Sequence, residues 1–414
     1  QRKSHMDYTT LTLKRASVTN EESLSLLSLY EALQALPDPR RAQGRRYELA
    51  LILCLLVLAK LAGQKSLCGA TEWLRHRKVT IAERFGLRRS SLPCQMTYCH
   101  VLAAIDAKRL DEILSAFFQR WEAQTRCGEE PSRLLTPQGH ADHRHLAIDG
   151  KALRATSKQA HPVHQLSCYE VNTGRVLWHC DVREKHNEIS DLKPLLTTET
   201  VKGRILSLDA LHTQRAFCAQ TKQLEGDYLL IAKDNQPTLK EDIADLFEDP
   251  TPDRRRWQEA ETWDKGHGRL EHRQIVCSPD LNDWFAKEWQ GIEQVFRIER
   301  TTRILKTGES RHEVVYGLSS LSLQKAPAPQ ILALVREHWA IENRLHWRRD
   351  VTLGEDACQT RTGLVPSRLA QLNSTVLSLM DRVGVCNVAR QMRYFDASYD
   401  KALDLLLTGY CSVF

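Results

Sequence analysis

Three acidic residues stand where their chemistry is conspicuous. Asp149 closes the apolar run "LAID", Asp209 closes "ILSLD", and Glu342 lies at the centre of "HWAIENRLHW". A carboxylate at the end of a buried strand either turns out to solvent as a loop cap or holds something cationic. Capping would account for either aspartate alone. Two of them, followed by a glutamate on a later helix, make a set of oxygen donors suited to a hard divalent cation such as Mg2+. A pair of such ions held between carboxylates serves in-line phosphoryl transfer. Glu342 has two further readings. It is a helix-surface charge, or it is a zinc ligand with His338 and His346, which lie four residues to either side on one helical face. Zinc needs a third or fourth ligand, and Asp350, Glu355 and Asp356 are near in sequence.

The surrounding pattern says what must position these acids. "HLAIDG" (145–150), "VHQLSCYEV" (163–171) and "RVLWHCDV" (175–182) read as strands, with "NTG" as a hairpin turn. Then come a helix from "NEIS", the strand "GRILSLDA", the helix "TQRAFCAQTKQLE" and the strand "DYLLIAKDN". The order β-β-β-α-β-α-β predicts a mixed sheet flanked by helices. It puts Asp149 on the first strand, Asp209 on the fourth and Glu342 on the helix after the fifth, the layout of RNase H-like nucleases and integrases. The intervals are 60 and 133 residues, and a strand-rich insertion accounts for the longer one. The expected fold class is α+β: an RNase H-like mixed sheet flanked by helices, a β-rich insertion and an all-α N-terminal domain. The expected divisions are a disordered leader (1–21, artificial before Met6), a helical DNA-binding domain (22–130), a catalytic core (140–248 and 326–362) split by the insertion (249–325), and a helical tail (363–414).

Composition narrows the partners. At 42% hydrophobic and 27% charged residues, the 414-residue chain has the balance of a soluble globular protein. "LALILCLLVLAKLAG" (49–63) is too short for a bilayer and reads as a buried helix, and "QRKSHMDYTT" has no secretory apolar core, which predicts an intracellular protein. Twelve scattered cysteines without a C-x-x-C pair suggest reduced, mostly buried thiols. Residues 1–140 carry 21 Lys and Arg against 14 Asp and Glu, and the remainder is nearly balanced. The clusters "RRAQGRR", "RHRK" and "RFGLRR" suit a phosphate-neutralising surface and equally suit an ordinary solvated helical one.

Several long motifs occur in order: "AIDGKALR" (147–154), "KHNEISDLKPLL" (185–196), "LSLDALHTQ" (206–214), "DYLLIAKDNQPTL" (227–239), "GHGRLEHR" (266–273) and "REHWAIENRLHWRRDVTLGEDAC" (336–358). Through them, and through "DPRRAQGRRYELALIL" near the N-terminus, residues 36–380 resemble the DDE transposases of bacterial insertion sequences, specifically the H-repeat-associated group. The resemblance makes Asp149, Asp209 and Glu342 the catalytic, metal-binding acids. It implies two Mg2+ ions with Mn2+ as a substitute, element terminal repeats and target DNA as double-stranded partners, a homodimer on paired ends, and a bacterial cytoplasmic, nucleoid-associated location. Related transposases place a Tyr and an Arg before the glutamate and a Lys after it. Those positions here are Val335, His338 and Arg349, so only basic character is partly kept.

Other residues are expected to contact DNA or to play simpler roles. Lys151, Arg154, Lys233, Asn235 and Gln236, on strand-end loops, read as phosphate or base-edge contacts, with His338 and Arg349 on the glutamate helix and Arg40, Arg41, Arg45 and Arg46 in the N-terminal cluster. "DNQP" also serves as a turn and helix cap. Asn187 and Glu188 read as helix-start residues, Trp339 and Trp347 as core, and "RRR" (254–256) as a solvated run. Two rival functions stand beside transposition: a catalytically silent, domesticated transposase that only binds DNA, and a metal-dependent endonuclease that cuts without joining.

Overall fold

The computed structural model describes residues 28–125, 144–154, 163–182, 188–249, 251 and 253–410, which form two compact units. The first contains the helices α1 (Leu29–Leu33), α2 (Leu49–Leu61), α3 (Leu67–His76), α4 (Lys78–Arg84), α5 (Gln95–Ala104) and α6 (Ala107–Thr125). All thirteen residues of α2 are buried, as expected of a helix that is apolar on every side. The stretch 98–124, which reads as one amphipathic helix, is interrupted at Ile105–Asp106. There the Asp106 side chain accepts the Arg109 N–H at 3.1 Å and starts a new helix.

The second unit is built on nine strands: β1 (Arg144–Ala152), β2 (His164–Glu170), β3 (Arg175–Val182), β4 (Arg204–Leu208), β5 (Asp227–Ala232), β6 (Gln258–Gly266), β7 (Arg269–Ser278), β8 (Gln294–Ile304) and β9 (Ser310–Ser319). They form one sheet in the order β3-β2-β1-β4-β5-β9-β8-β7-β6. β1, β4 and β5 run parallel, and every other neighbouring pair is antiparallel. Between them lie α7 (Glu188–Leu192), α8 (Thr198–Val201), α9 (Arg215–Gln223), α10 (Pro237–Glu248), α11 (Asn282–Phe285) and α12 (Ala328–His338). The expected helix over 187–199 is broken into short turns around Pro194.

The strands of the insertion extend the sheet and do not form a separate layer, because β9 is bonded to β5 on one edge and to β8 on the other. The polar strand β6 had no apolar alternation to announce it. Leu146, Ile148, Leu206 and Leu208 pack on one face with Phe217 and Ile243 of α9 and α10. On the opposite face Ile205, Leu229, Ile275 and Phe296 pack against Ile331 and Leu332 of α12.

The chain then returns to the first unit with α13 (Val365–Arg382), α14 (Val388–Ala397) and α15 (Tyr399–Thr408). These pack on α1, α2 and α5, so the expected N-terminal domain and C-terminal tail belong to one body. Ten described cysteines are free, but only four are buried (Cys54, Cys168, Cys218 and Cys277), fewer than expected. Among the described residues, no helix is long and apolar enough to cross a membrane.

Candidate metal centre

The parallel ladder between β1 and β4 ends at the pair Ile148 and Leu208, so Asp149 and Asp209 are the first residues beyond it on neighbouring strands. Strand alternation places Asp149 on the same face as His145 and Ala147, and Asp209 on the same face as Ile205 and Ser207. That is the face covered by α12. Each aspartate accepts the N–H of the next residue, Gly150 at 2.8 Å and Ala210 at 2.7 Å, which orients the carboxylate at the strand end.

Glu342 reaches this edge from a rewound helix. Beyond His338 the backbone widens into π geometry over Ile341–His346, where the Trp347 N–H reaches back to the Glu342 carbonyl. Such widened turns are frequent at functional sites. Ile341 and Leu345 are the buried stripe of this segment. Trp339 and Trp347, two residues off that stripe, are 57% and 53% exposed, not core as expected.

The acids and a histidine converge. His346 Nδ1 lies 3.3 Å from Glu342 Oε2 and 3.5 Å from Asp149 Oδ2. This trio is the one group of His, Cys, Asp and Glu among the described residues whose ligand atoms, all within 4.8 Å of one another, lie close enough to hold a metal ion. Burial works to raise the Asp149 carboxyl, yet hydrogen bonding and charge from His346, with the Gly150 N–H, hold it below the ordinary range. The Glu342 carboxyl is also held low, first by the His346 hydrogen bond, with Lys151 contributing charge. Asp209 stands apart from the trio, 60% exposed, with Lys233 Nζ 3.7 Å away. Among the described residues the zinc reading finds no four-ligand set: the converging group has three members and does not include His338, and Glu355 is bound to Arg349.

The remaining expected residues divide by what they touch. Lys151 lies beside the acids and is buried. Asn235 and Gln236 donate side-chain N–H to the Ala210 and Thr213 carbonyls at 2.7 and 3.0 Å, so they brace the Asp209 loop. Arg349 corrects the sequence expectation: it is fully buried and forks onto Glu355, where it cannot reach DNA. Arg154 belongs to the helical unit and pairs with Asp356 at 3.2 Å. Arg40 is forked onto Asp38 and the Tyr47 carbonyl, and Arg45 donates to the Asp38 and Arg40 carbonyls. Arg46 donates to Ser91, whereas Arg41 is exposed. Asn187 lies outside the described residues.

Two neighbours of the site were not singled out from the sequence, and a third, Glu188, was read only as a helix-start residue. Glu188 is buried, 3.6 Å from His212, with its carboxylate against Gly150. His145 and Ser207 sit beneath the acids and bond each other and His338. The alternation in "HLAID" and "SLD" carried the signal for these last two.

Asp149, inside β1, and Asp209, just past β4, thus stand side by side where the parallel ladder stops, with a helix-borne glutamate beside the first, on a mixed α+β sheet. Family models match the chain. The model described as Transposase DDE domain matches residues 140–373, and the one described as DDE_Tnp_1-associated matches 30–118. The "H repeat-associated putative transposase YhhI" of Escherichia coli strain K12 is 26% identical over 89% of this chain and 95% of its own length. The protein YbfL of the same strain shows the same identity and coverage, and YncI of strain O157:H7, also named as a transposase, is 26% identical over 86% and 88%. A piggyBac transposase in a synaptic complex with hairpin DNA covers 91% of this chain and 77% of its own, at TM-score 0.39 and 11% identity, a likeness too slight to carry an argument. The chain belongs to the H-repeat-associated family of DDE transposases. Transposase function, DNA as partner and use of a divalent metal come with that membership.

Proposed function

We propose that this protein hydrolyses a phosphodiester at the ends of an insertion sequence and then directs the freed 3′-hydroxyl against target DNA, with Asp149, Asp209 and Glu342 as the metal-binding acids of an RNase H-like core. The observation that carries this reading is the convergence of Asp149 and Glu342 beside the strand that bears Asp209. The donor set fits a divalent cation: hard carboxylate oxygens, held ionised and aimed at a common point. Mg2+ held there, as two ions with Mn2+ as substitute, would polarise the phosphoryl group and lower the pKa of the attacking hydroxyl.

The chain's own groups supply positioning. The strand ends fix the aspartates, the π-wound turn delivers Glu342, and His346 ties Glu342 to Asp149. Lys233 and Lys151 place positive charge where a scissile phosphate would lie. No covalent protein nucleophile is required. A homodimer on paired ends completes the reading.

The test is incubation of purified protein with labelled DNA carrying the repeats that flank its gene, in Mg2+, Mn2+ or EDTA. Metal-dependent cleavage and joining are expected, and both should disappear in Asp149→Asn and Glu342→Gln while end binding persists. Binding without cleavage in any metal would favour a DNA-binding relic, cleavage without joining would favour a nuclease, and wild-type-like cleavage by Asp149→Asn would remove the acid assignment.

A further inference from the structure

Beneath the carboxylates a buried polar chain crosses from α12 through two strands and back. Glu337 Oε2 lies 3.3 Å from His145 Nδ1, His145 Nε2 lies 2.6 Å from Ser207 Oγ, and Ser207 Oγ lies 2.9 Å from His338 Nδ1. His145 is wholly buried and Ser207 nearly so. Glu337 and His338 are consecutive residues, so α12 closes the chain at both ends.

The chemistry of the first member gives this chain a direction. A carboxylate only accepts hydrogen bonds. With one proton on the ring, Glu337 therefore holds the His145 proton on Nδ1, and His145 Nε2 presents a lone pair. That lone pair takes the Ser207 O–H, which leaves the Ser207 oxygen to accept from His338. The His338 proton is thereby drawn to Nδ1, and its Nε2 is left as a lone pair. Nε2 has no protein partner among the described residues. The ring's Nδ1 partner, Ser207, lies two residues before Asp209 on the same face of the sheet, which places the ring beside the acids.

The geometry assigns His338 as a further catalytic residue, a neutral imidazole whose unprotonated Nε2 accepts a hydrogen bond from the attacking hydroxyl, with Glu337, His145 and Ser207 as positioning residues that fix this tautomer. The inference rests on the DNA-cleaving reading above. It makes His338 an acceptor, where the related transposases place an arginine that can only donate. Burial first, and then the neighbouring His145, push the His338 ring down to about 4, so it stays neutral at working pH. The role is orientation of the nucleophile's O–H, with no net proton transfer required of His338.

Nitrogen-15 NMR of histidine-labelled protein reads the tautomer directly, with the His338 signals identified by their loss in His338→Gln. The expected wild-type form at pH 8 carries its proton on Nδ1. Glu337→Gln and Ser207→Ala should shift His338 toward the Nε2–H form, slow single-turnover cleavage at least tenfold, and leave DNA binding and the melting curve near wild type. A wild-type Nε2–H His338 would overturn the inference because the chain then runs the other way, and a doubly protonated His338 would overturn it because Nε2 then has no lone pair to offer. Unchanged cleavage in His338→Gln would also overturn it. Failure of the functional reading looks different: an Nδ1–H tautomer in a protein that binds ends but never cuts them removes the catalytic role along with transposition and leaves the hydrogen-bond direction standing.

Discussion

Arg349 holds its charge inside the protein: fully buried and forked onto Glu355, which also accepts from Asn373 at 2.9 Å. Removing one partner of a buried pair leaves the other charge unpaired, so Arg349→Met is expected to cost about 3–5 kcal/mol of stability in denaturant titration. DNA affinity per folded molecule should not change, whereas loss of a phosphate contact would weaken binding and spare stability. His338 gives a second expectation, with a definite sign. Its ring is held down to about 4 by burial, below the ordinary imidazole value near 6.5. The unfolded chain therefore binds the extra proton first, and the stability that neutral His338 provides is present above about pH 6.5 and lost as the pH falls toward 4. The stability gap between wild type and His338→Gln should narrow over that window in chemical denaturation. Asp149 and Asp209 stood out in the sequence because a carboxylate closing an apolar strand is costly without a purpose. The ion pairs of Arg349 and Arg40 did not, because sequence shows a charge without showing the Glu355 or Asp38 that neutralises it.

Gly317 shows what single positions on β9 must satisfy. A Cβ there would lie 2.3 Å from Phe296 Cζ and 2.4 Å from the Leu230 carbonyl, so neither neighbouring strand has room for a methyl group. Gly317→Ala is expected to lower stability by about 3 kcal/mol, seen as a fall in melting temperature, because backbone cannot step aside as a flexible side chain does. Among the elements, the apolar strands and the order of the first five strands could be read from periodicity. So could α2, from its long apolar run, and α13, from apolar residues spaced three and four apart. The short polar pieces could not. β6 alternates between exposed and half-exposed residues, and α14 is a ten-residue helix with four buried side chains. The π winding at Glu342 left no mark in the sequence, since an α-helix and a π-turn draw on the same residues.

At the scale of the whole chain, the basic excess of the N-terminal third is only partly available to DNA. Arg75, Lys78, Arg88 and Arg89 are exposed and have no acidic partner among the described residues. If this surface grips element ends, replacing Arg75, Arg88 and Arg89 by Ala should lower affinity and reduce the slope of log affinity against log salt by about 2.7, at roughly 0.9 per phosphate contact. An unchanged slope would place the DNA elsewhere. Deleting residues 1–140 is a poorer experiment, because α13, α14 and α15 would lose the helices that cover them. The sharing of β9 between β5 and β8 has a similar consequence for the other unit. An excision of residues 249–325 would leave the outer edge of β5 as an open row of unpaired N–H and C=O groups, a template on which another chain would nucleate a fibre. What reads in sequence as a removable interruption therefore acts as the sheet's safeguard against aggregation, and no smaller soluble fragment can be cut from the chain along that boundary.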